Sequence, residues 1–214
     1  MGCGGKGLLI VISGPAGVGK GAVRARLKER RPDLLYGVSA TTRPKRPGEV
    51  DGVSYHFLDR EEFLRRVAAG EFVEWAEVHG NLYGTPRHPL EDWLAAGRDV
   101  IVEKDIQGAA TLRKLYPDAV YVFLLPPSLE TLRERMCRRG ADSPAAMERR
   151  LVAAPGELAQ VVHYDYAIVN DDLDAAVSRL EAVIVAEKCR VARQPELARW
   201  AAPGEAVASG RKGE

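Results

Sequence analysis

Three glycines and a lysine stand at the spacing G-x-x-x-x-G-K in Gly14-Pro15-Ala16-Gly17-Val18-Gly19-Lys20. They follow the continuous apolar run Leu8-Leu9-Ile10-Val11-Ile12 and precede a helix expected from Lys20 to about Glu29. Glycines at this spacing let backbone N–H groups turn inward around phosphate oxygens. The following helix presents its positive N-terminus to the same oxygens, and Lys20 adds a cation that can reach the outer phosphates of a nucleotide. Residues Gly14 to Lys20, with Gly21 and Ala22 opening the helix, are therefore the candidate ATP site. The motif expects a Ser or Thr after the lysine, whose hydroxyl touches Mg²⁺, but Gly21 stands there. Mg²⁺ is expected to enter as Mg-ATP, held by phosphates, water and nearby carboxylates, and no protein residue is assigned to the metal.

A second set of polar residues decides what the nucleotide reacts with. Ser39-Ala40-Thr41-Thr42-Arg43-Pro44-Lys45-Arg46-Pro47-Gly48-Glu49 leads to Asp51-Gly52-Val53-Ser54-Tyr55-His56-Phe57. Further on come Glu71-Phe72-Val73-Glu74-Trp75, Asn81-Leu82-Tyr83-Gly84-Thr85, Glu103-Lys104-Asp105-Ile106-Gln107-Gly108 and Val169-Asn170-Asp171-Asp172-Leu173. In this order, from Leu8 to about Glu187, the chain resembles the guanylate kinases, and the first of these stretches resembles their GMP-binding region. Arginine forks suit a dianionic phosphate, and phenolic O–H groups can donate to the same oxygens. The resemblance implies that Arg43, Arg46, Tyr55 and Tyr83 form the clamp on the acceptor phosphate, with Glu49 in the same segment. Guanine offers two adjacent donors, N1–H and the exocyclic amine, beside the O6 acceptor. By resemblance Glu74 is the carboxylate that accepts both donors and Ser39 the hydroxyl that serves O6, with Thr85, Glu103 and Asp105 nearby. Adenine would leave buried polar groups unpaired there, and sites of that kind reject a mismatched analogue by roughly 10⁴–10⁵-fold. Strand alternation read by itself turns Glu74 outward, between Val73 and Trp75. Members of the family usually carry an apolar residue where Lys104 stands; a lysine there points to solvent, pairs with a neighbouring acid or adds a cation near the phosphates, the first two being favoured.

Arginines crowd a third segment, Arg135, Arg138, Arg139, Arg149 and Arg150 around Gly140-Ala141-Asp142-Ser143. In-line phosphoryl transfer needs positive charge around the moving group and exclusion of water. The resemblance gives Arg135, Arg139 and Arg150 that role in a hinged lid, with Arg138 and Arg149 as bystanders. Pro155-Gly156 departs from the family's uninterrupted helix and is expected to shorten the lid helix or add a hinge. By resemblance Asn170 sits near the adenine of ATP; an Asn-Asp turn capping the next helix explains it equally well.

The elements that must hold these residues alternate along the chain. Apolar runs read as strands buried on both faces occur at Leu8 to Ile12, Val100 to Val102, Val120 to Leu125 and Tyr166 to Val169. Helical stretches lie between and after them, at Ala109 to Leu115, Leu129 to Arg138 and Leu173 to Val191. Alternation of this kind means an α/β fold with a parallel sheet, and the resemblance makes it a P-loop NTPase-type parallel sheet flanked by helices, with an inserted GMP-binding lobe and a mobile helical lid. The expected division is a domain over 7–192, with core 7–38, 94–134 and 157–192, lobe 39–93 and lid 135–156, between flexible tails 1–6 and 193–214.

Composition agrees. The 214 residues are 46% hydrophobic and 29% charged with a net charge of +1, an ordinary globular balance without the basic excess of a nucleic-acid binder. Cys3, Cys137 and Cys189 are odd in number and lack metal-ligand spacing, which suits a reducing compartment. No apolar stretch is long enough to span a bilayer, the start does not read as a secretory signal, and Lys6 occupies the place where N-acylation wants Ser or Thr. A cytoplasmic enzyme acting on ATP and GMP, with no nucleic acid, membrane or protein partner, is the expectation; the oligomeric state is open. Kinases of AMP, UMP or dGMP, guanylate-kinase-like binding domains without catalysis, and a nucleic-acid-binding ATPase are the alternatives. Retention of Lys20, Arg43, Arg46 and the lid arginines favours the enzyme.

Overall fold

A computed structural model describes residues 6–78, 80–139, 144–194 and 197. The expected tails, 1–6 and 193–214, fall largely outside these residues, as do residues 140–143 of the expected lid. The elements run β1 (Leu9–Ser13), α1 (Lys20–Arg30), β2 (Leu35–Gly37), β3 (Ala40–Thr41), β4 (His56–Phe57), α2 (Arg60–Ala68), β5 (Phe72–Val78) and β6 (Asn81–Pro86). They continue with α3 (Arg87–Ala95), β7 (Val100–Glu103), α4 (Ile106–Leu115), β8 (Val120–Leu125), α5 (Leu129–Arg139), α6 (Pro144–Leu158), β9 (Tyr166–Val169) and α7 (Leu173–Lys188).

Five strands form one sheet in the order β2-β7-β1-β8-β9, and every pairing in it is parallel. β1 lies in the middle with all five residues buried, which is why it reads as an unbroken apolar run. Its side chains divide by the strand period of two. Ile10 and Ile12 pack with Val23 and Leu27 of α1 and with Val177, Leu180 and Ile184 of α7. Leu9 and Val11 pack on the other face with Leu90 and Leu94 of α3 and Leu112 of α4. The sheet is thus sandwiched between helices on both faces. β2 is an edge strand that pattern reading missed, because its three residues are all only half-buried and give no apolar run.

A second sheet, β4-β3-β6-β5, is mixed: β3 pairs parallel with β4 and antiparallel with β6, which pairs antiparallel with β5. It has its own small core of Ala40, Phe63, Phe72 and Leu82. Phe63 of α2 stacks on Phe72 with ring centroids 4.5 Å apart. A Cβ at Gly84 would sit 2.9 Å from the Phe72 ring and 3.0 Å from that of Phe63, so only glycine lets the stack close over β6.

Four of the described helices carry a side-chain cap of the usual kind, α5 through Ser128 Oγ, which accepts from the Thr131 N–H at 3.0 Å. Asp59, Asp105 and Asp172 accept from Glu62, Gly108 and Ala175 N–H groups at the starts of α2, α4 and α7. α6 runs through Pro155 to Leu158, so the proline does not shorten the helix as the sequence suggested. α7 ends at Lys188 rather than Val191, and its buried Glu187 fastens the segment beyond the helix. The carboxylate accepts from Tyr166 Oη at 2.6 Å and Arg193 Nε at 3.1 Å and pairs with Arg190 at 3.3 Å.

Burial would raise the Glu187 carboxyl, but the hydrogen bonds from Tyr166, Arg193 and Arg190 outweigh it and hold it below the usual 4.5. Such a group adds stability above the unfolded value, lost as pH falls through the folded one. Glu187→Gln should therefore cost about 1–3 kcal/mol at pH 7, a fall of roughly 3–10 °C in melting temperature. Melting curves at decreasing pH should show the gap to wild type closing below about pH 4.5. A gap independent of pH would contradict the ionic role.

Candidate functional site

Parallel pairing sets the site. β1 lies beside β7 with Ile12 opposite Glu103, so the glycine loop leaving β1 and the segment Glu103-Lys104-Asp105 leaving β7 emerge side by side at the C-terminal edge of the sheet. Open α/β sheets bind their ligands at that edge.

Gly14, Gly17 and Gly19 of the loop have φ of 142°, 81° and 102°, a region that side chains with a Cβ avoid. A Cβ at Gly14 would lie 2.5 Å from the Leu124 carbonyl oxygen. Gly19 ends the loop as the left-handed N-cap of α1, with no side chain capping the helix and no acid in its first turn. The helix therefore presents its positive end to the loop undiluted. Lys20 folds back across the loop and donates to the carbonyl oxygens of Gly14 at 2.5 Å and Pro15 at 3.1 Å. Beside Gly21, where the motif expects a hydroxyl, a Cβ would meet nothing within 4 Å. Asn170 and Arg135 bracket the other side. Asn170 Nδ2 donates to the Val18 carbonyl at 2.8 Å, while Arg135 donates to the same oxygen at 3.3 Å and to the Asn170 carbonyl at 2.9 Å. Asn170 is buried, and the α7 cap is Asp172, so the Asn-Asp turn is not what caps that helix. The side chain of Arg139 lies outside the described residues, and Arg150 is half-buried on α6.

In the smaller sheet, Arg43 and Glu49 form a forked pair with N···O distances of 2.8 and 2.7 Å, and Glu49 also accepts from the Arg46 N–H at 2.8 Å. Burial pulls the Arg43 guanidinium down, but the Glu49 contacts and Tyr83 leave it raised overall. Burial likewise opposes Glu49 ionisation, and Arg43 and Arg46 still hold its carboxyl low. The guanidinium carbon lies 5.2 Å from the Tyr55 ring centroid, and Tyr55 meets Tyr83 edge-on at 6.1 Å. Burial first, then the charge of Glu103, pushes the Tyr55 phenol up, so it remains a proton donor. Arg43, Tyr55 and Tyr83, three of the four residues expected to hold a phosphate, are thus gathered into one arginine-tyrosine group, and Arg46 joins it through its N–H to Glu49.

Between this group and the core lies a buried polar cluster. Glu74 and Thr85 are opposite each other on β5 and β6, and Thr85 Oγ1 donates to Glu74 Oε1 at 2.5 Å. Lys104 Nζ lies 3.0 Å from the same Oε1 and donates to Ser39 Oγ at 2.8 Å. Asp105 stands next to it, exposed, with Oδ1 taken by the Gly108 N–H at 2.7 Å. A Cβ at Gly108 would lie 3.7 Å from Glu74 Oε2, which shows how closely α4 meets β5. Glu103 turns away towards α1 and pairs with Arg24 at 3.0 Å.

The outward turn of Glu74 read from alternation needs correction here, and of the two favoured readings of Lys104 the ion pair is the one met. Glu74 points inward, only 7% exposed, while Trp75 is 45% exposed. β5 keeps its alternation, with Phe72 and Glu74 buried on one face and Trp75 and Glu77 exposed on the other, so the phase of the strand turns the carboxylate inward. Lys104 does not reach solvent; it pairs with an acid, and the acid is Glu74. Lys104 was absent from the expected site residues. Its signal was the lysine itself, at a strand end where the resemblance led to an apolar residue being expected.

The family model for guanylate kinases matches residues 6–187. The chain belongs to the guanylate kinase family. The guanylate kinase of Symbiobacterium thermophilum is 56% identical over 188 residues, covering 88% of this chain and 89% of that protein. That of Carboxydothermus hydrogenoformans is 50% identical over 88% of this chain and 92% of its own. Among solved structures, the guanylate kinase of Anaplasma phagocytophilum superposes with a TM-score of 0.78 at 36% identity, covering 92% of this chain and 94% of its own. Likeness of this extent takes in the glycine loop, the smaller sheet and the arginine-bearing helices together, so this guanylate kinase-family chain shares the family's whole framework.

The loop geometry makes a paired prediction. A Cβ at Gly19 would lie 2.5 Å from Asn170 Nδ2 on a left-handed backbone, whereas Gly21 is open. Gly19→Ala should destabilise the protein by about 2–3 kcal/mol and weaken ATP binding, while Gly21→Ala should leave the melting temperature unchanged or slightly higher. Thermal melting with and without ATP checks both; equal effects of the two substitutions would contradict a loop packed against Asn170.

Proposed function

We propose that the chain transfers the γ-phosphoryl group of ATP to GMP, and more slowly to dGMP, giving ADP and GDP in cytoplasmic purine nucleotide metabolism. The observation that carries this reading is a buried carboxylate, Glu74, set between the arginine-tyrosine group and the C-terminal edge that bears the phosphate loop. A carboxylate in that position suits the paired donors of guanine, with the phosphate of the same nucleotide reaching Arg43, Arg46, Tyr55 and Tyr83.

ATP lies along Gly14 to Ala22, its phosphates on the loop N–H groups and Lys20, with Asn170 beside the adenine. Ser39 and Thr85 complete the base pocket with Glu74, and Asp105 stands at its rim, while Glu49 orients Arg43 and Glu103 neighbours Tyr55. An oxygen of the GMP phosphate attacks the γ-phosphorus in line. The bond from that phosphorus to the β–γ bridging oxygen breaks, and its electron pair leaves with ADP. Lys20, Arg43 and the lid arginines Arg135, Arg139 and Arg150 hold the charge that spreads over the moving group. No side chain need act as base, because the second ionisation of a phosphate monoester, at a pKa of about 6, has already freed the attacking oxygen.

Mg²⁺ accompanies ATP and neutralises the phosphate charge. Among the described residues no three His, Cys, Asp or Glu side chains gather to hold an ion, and Gly21 offers no hydroxyl, so no protein residue is assigned to the metal. The ion would be held by the phosphates, water and nearby carboxylates. The same residues contain no helix long and apolar enough to cross a membrane.

ADP release from Mg-ATP with GMP, dGMP, AMP or UMP tests the reading. Turnover should be fast with GMP, weaker with dGMP and near background with AMP and UMP, and chelation of the metal should abolish it. Lys20→Ala should lower kcat by roughly 10²-fold or more, and Glu74→Gln should lower kcat/KM for GMP by about 10²–10³-fold. A folded protein that binds GMP yet turns over none of the four would overturn the catalytic reading in favour of a binding module.

A further inference from the structure

Lys104 is buried with its ammonium between two side chains assigned to the base, Glu74 and Ser39. We propose that Lys104 is a specificity-determining residue: with Glu74 it forms an ion pair whose polarity matches the O6 and N1–H edge of guanine and opposes that of adenine. The inference rests on GMP being the acceptor.

The side chains of Lys104 and Glu74 are 6% and 4% exposed. Burying two charges costs desolvation that their attraction repays only in part, and an apolar pair of similar volume is often as stable. Stability therefore does not account for the lysine, and the chemistry of its contacts does. An ammonium has three N–H donors and no acceptor, and an ionised carboxylate has about four acceptor positions and no donor. Glu74 Oε1 takes Lys104 and Thr85, which fills that oxygen and leaves Oε2 to accept from a ligand. Lys104 spends two donors, on Glu74 Oε1 and Ser39 Oγ, and among the described residues no protein acceptor takes the third. Because Ser39 Oγ already accepts from an ammonium, its own O–H turns away from Lys104 as a second donor. The cluster thus offers donors at the lysine and serine and, among the described residues, an acceptor left open at Glu74 Oε2, on the same carboxylate whose Oε1 lies 3.0 Å from the ammonium.

Guanine presents the complement, an O6 acceptor beside the N1–H donor, and adds the 2-amine on the carboxylate side. Adenine presents the reverse, an amine where O6 stands and a lone pair where N1–H stands. Its amine would face the ammonium and its N1 lone pair the carboxylate. Because both mismatches are ionic, the pair adds discrimination that an apolar residue at position 104 could not supply.

The 2-amine gives a way to separate this role from simple support of Glu74. IMP keeps O6 and N1–H but lacks the amine, whereas AMP inverts the O6 and N1 positions. kcat/KM is measured for GMP, IMP and AMP with wild type, Lys104→Met, and Lys104→Gln, which keeps a donor without the charge. Melting curves confirm that each variant is folded, and Lys104→Gln carries the test if Lys104→Met is not. The GMP:AMP ratio should fall by about tenfold or more in Lys104→Met and by less in Lys104→Gln, while the GMP:IMP ratio stays within about threefold, as its reader is Glu74. An unchanged GMP:AMP ratio overturns the proposal, as does a parallel fall in both ratios, which would make the lysine a prop for Glu74. Better use of GMP with AMP still rejected also overturns it, because the lysine would then be a competitor for the base site. Wild type inactive on GMP defeats the underlying reading, a result separate from all of these.

Discussion

The parallel pairing of β1 with β7 is the constraint on which the rest of the site depends. Five fully buried residues in β1 can satisfy their backbone only through neighbours on both sides, and the register they adopt sets Ile12 beside Glu103. The glycine loop and the Glu103-Lys104-Asp105 segment then have no choice but to leave the sheet together. β8 on the other flank closes against Gly14, and β9 brings Asn170 to the Val18 carbonyl. Each of these core strands thus delivers one component of the proposed nucleotide site at its C-terminal end, and the helices on both faces fix the sheet that delivers them.

The smaller sheet depends on that arrangement. Its own core is four buried residues, Ala40, Phe63, Phe72 and Leu82, and the polar side chains it contributes meet the core at the buried cluster of Ser39, Glu74, Thr85 and Lys104. Three of those come from the inserted segment and one from the end of β7. The buried ion pair between Lys104 and Glu74 therefore links the two sheets chemically as well as spatially, at the place where the base is proposed to bind. Arg135 does the same for the lid side, reaching from α5 to the carbonyls of Val18 and Asn170. Apolar packing reinforces both links: Leu132 and Met136 of α5 and Ala154 of α6 are buried in the core on one face of the central sheet, and Val73 of β5 packs against the core on the other.

How much of this was legible in the sequence depended on how local the requirement was. The glycine loop was readable because each glycine answers a backbone condition, φ of 142°, 81° and 102° at residues 14, 17 and 19, and because the strand before it is apolar throughout. The central strands were readable for the same reason, whereas half-buried β2 left no mark. Arg43, Tyr55 and Tyr83 were found through family likeness, and their gathering could not have been derived from spacing, since it depends on β3 lying next to β6. Glu74 shows where pattern reading fails in an instructive way. Alternation phased on the apolar residues sends the carboxylate outward and the tryptophan inward, and β5 takes the opposite phase, with Phe72 and Glu74 on the buried face. Pro155 reads as a helix breaker, yet α6 carries it. Lys104 reads equally as a solvent-facing residue or as the partner of a neighbouring acid, and nothing near it in sequence reveals that Glu74 and Ser39 lie within 3.0 Å of its ammonium.

The most direct test of the central claim, that the buried carboxylate reads guanine while the arginine-tyrosine group holds the phosphate, is a crystal structure of the protein with GMP. The account predicts the guanine N1 and 2-amine within about 3.2 Å of the Glu74 carboxylate, O6 facing Ser39 and Lys104, and the phosphate against Arg43, Arg46, Tyr55 and Tyr83. A base bound elsewhere, or one whose donors face any group other than Glu74, would contradict it.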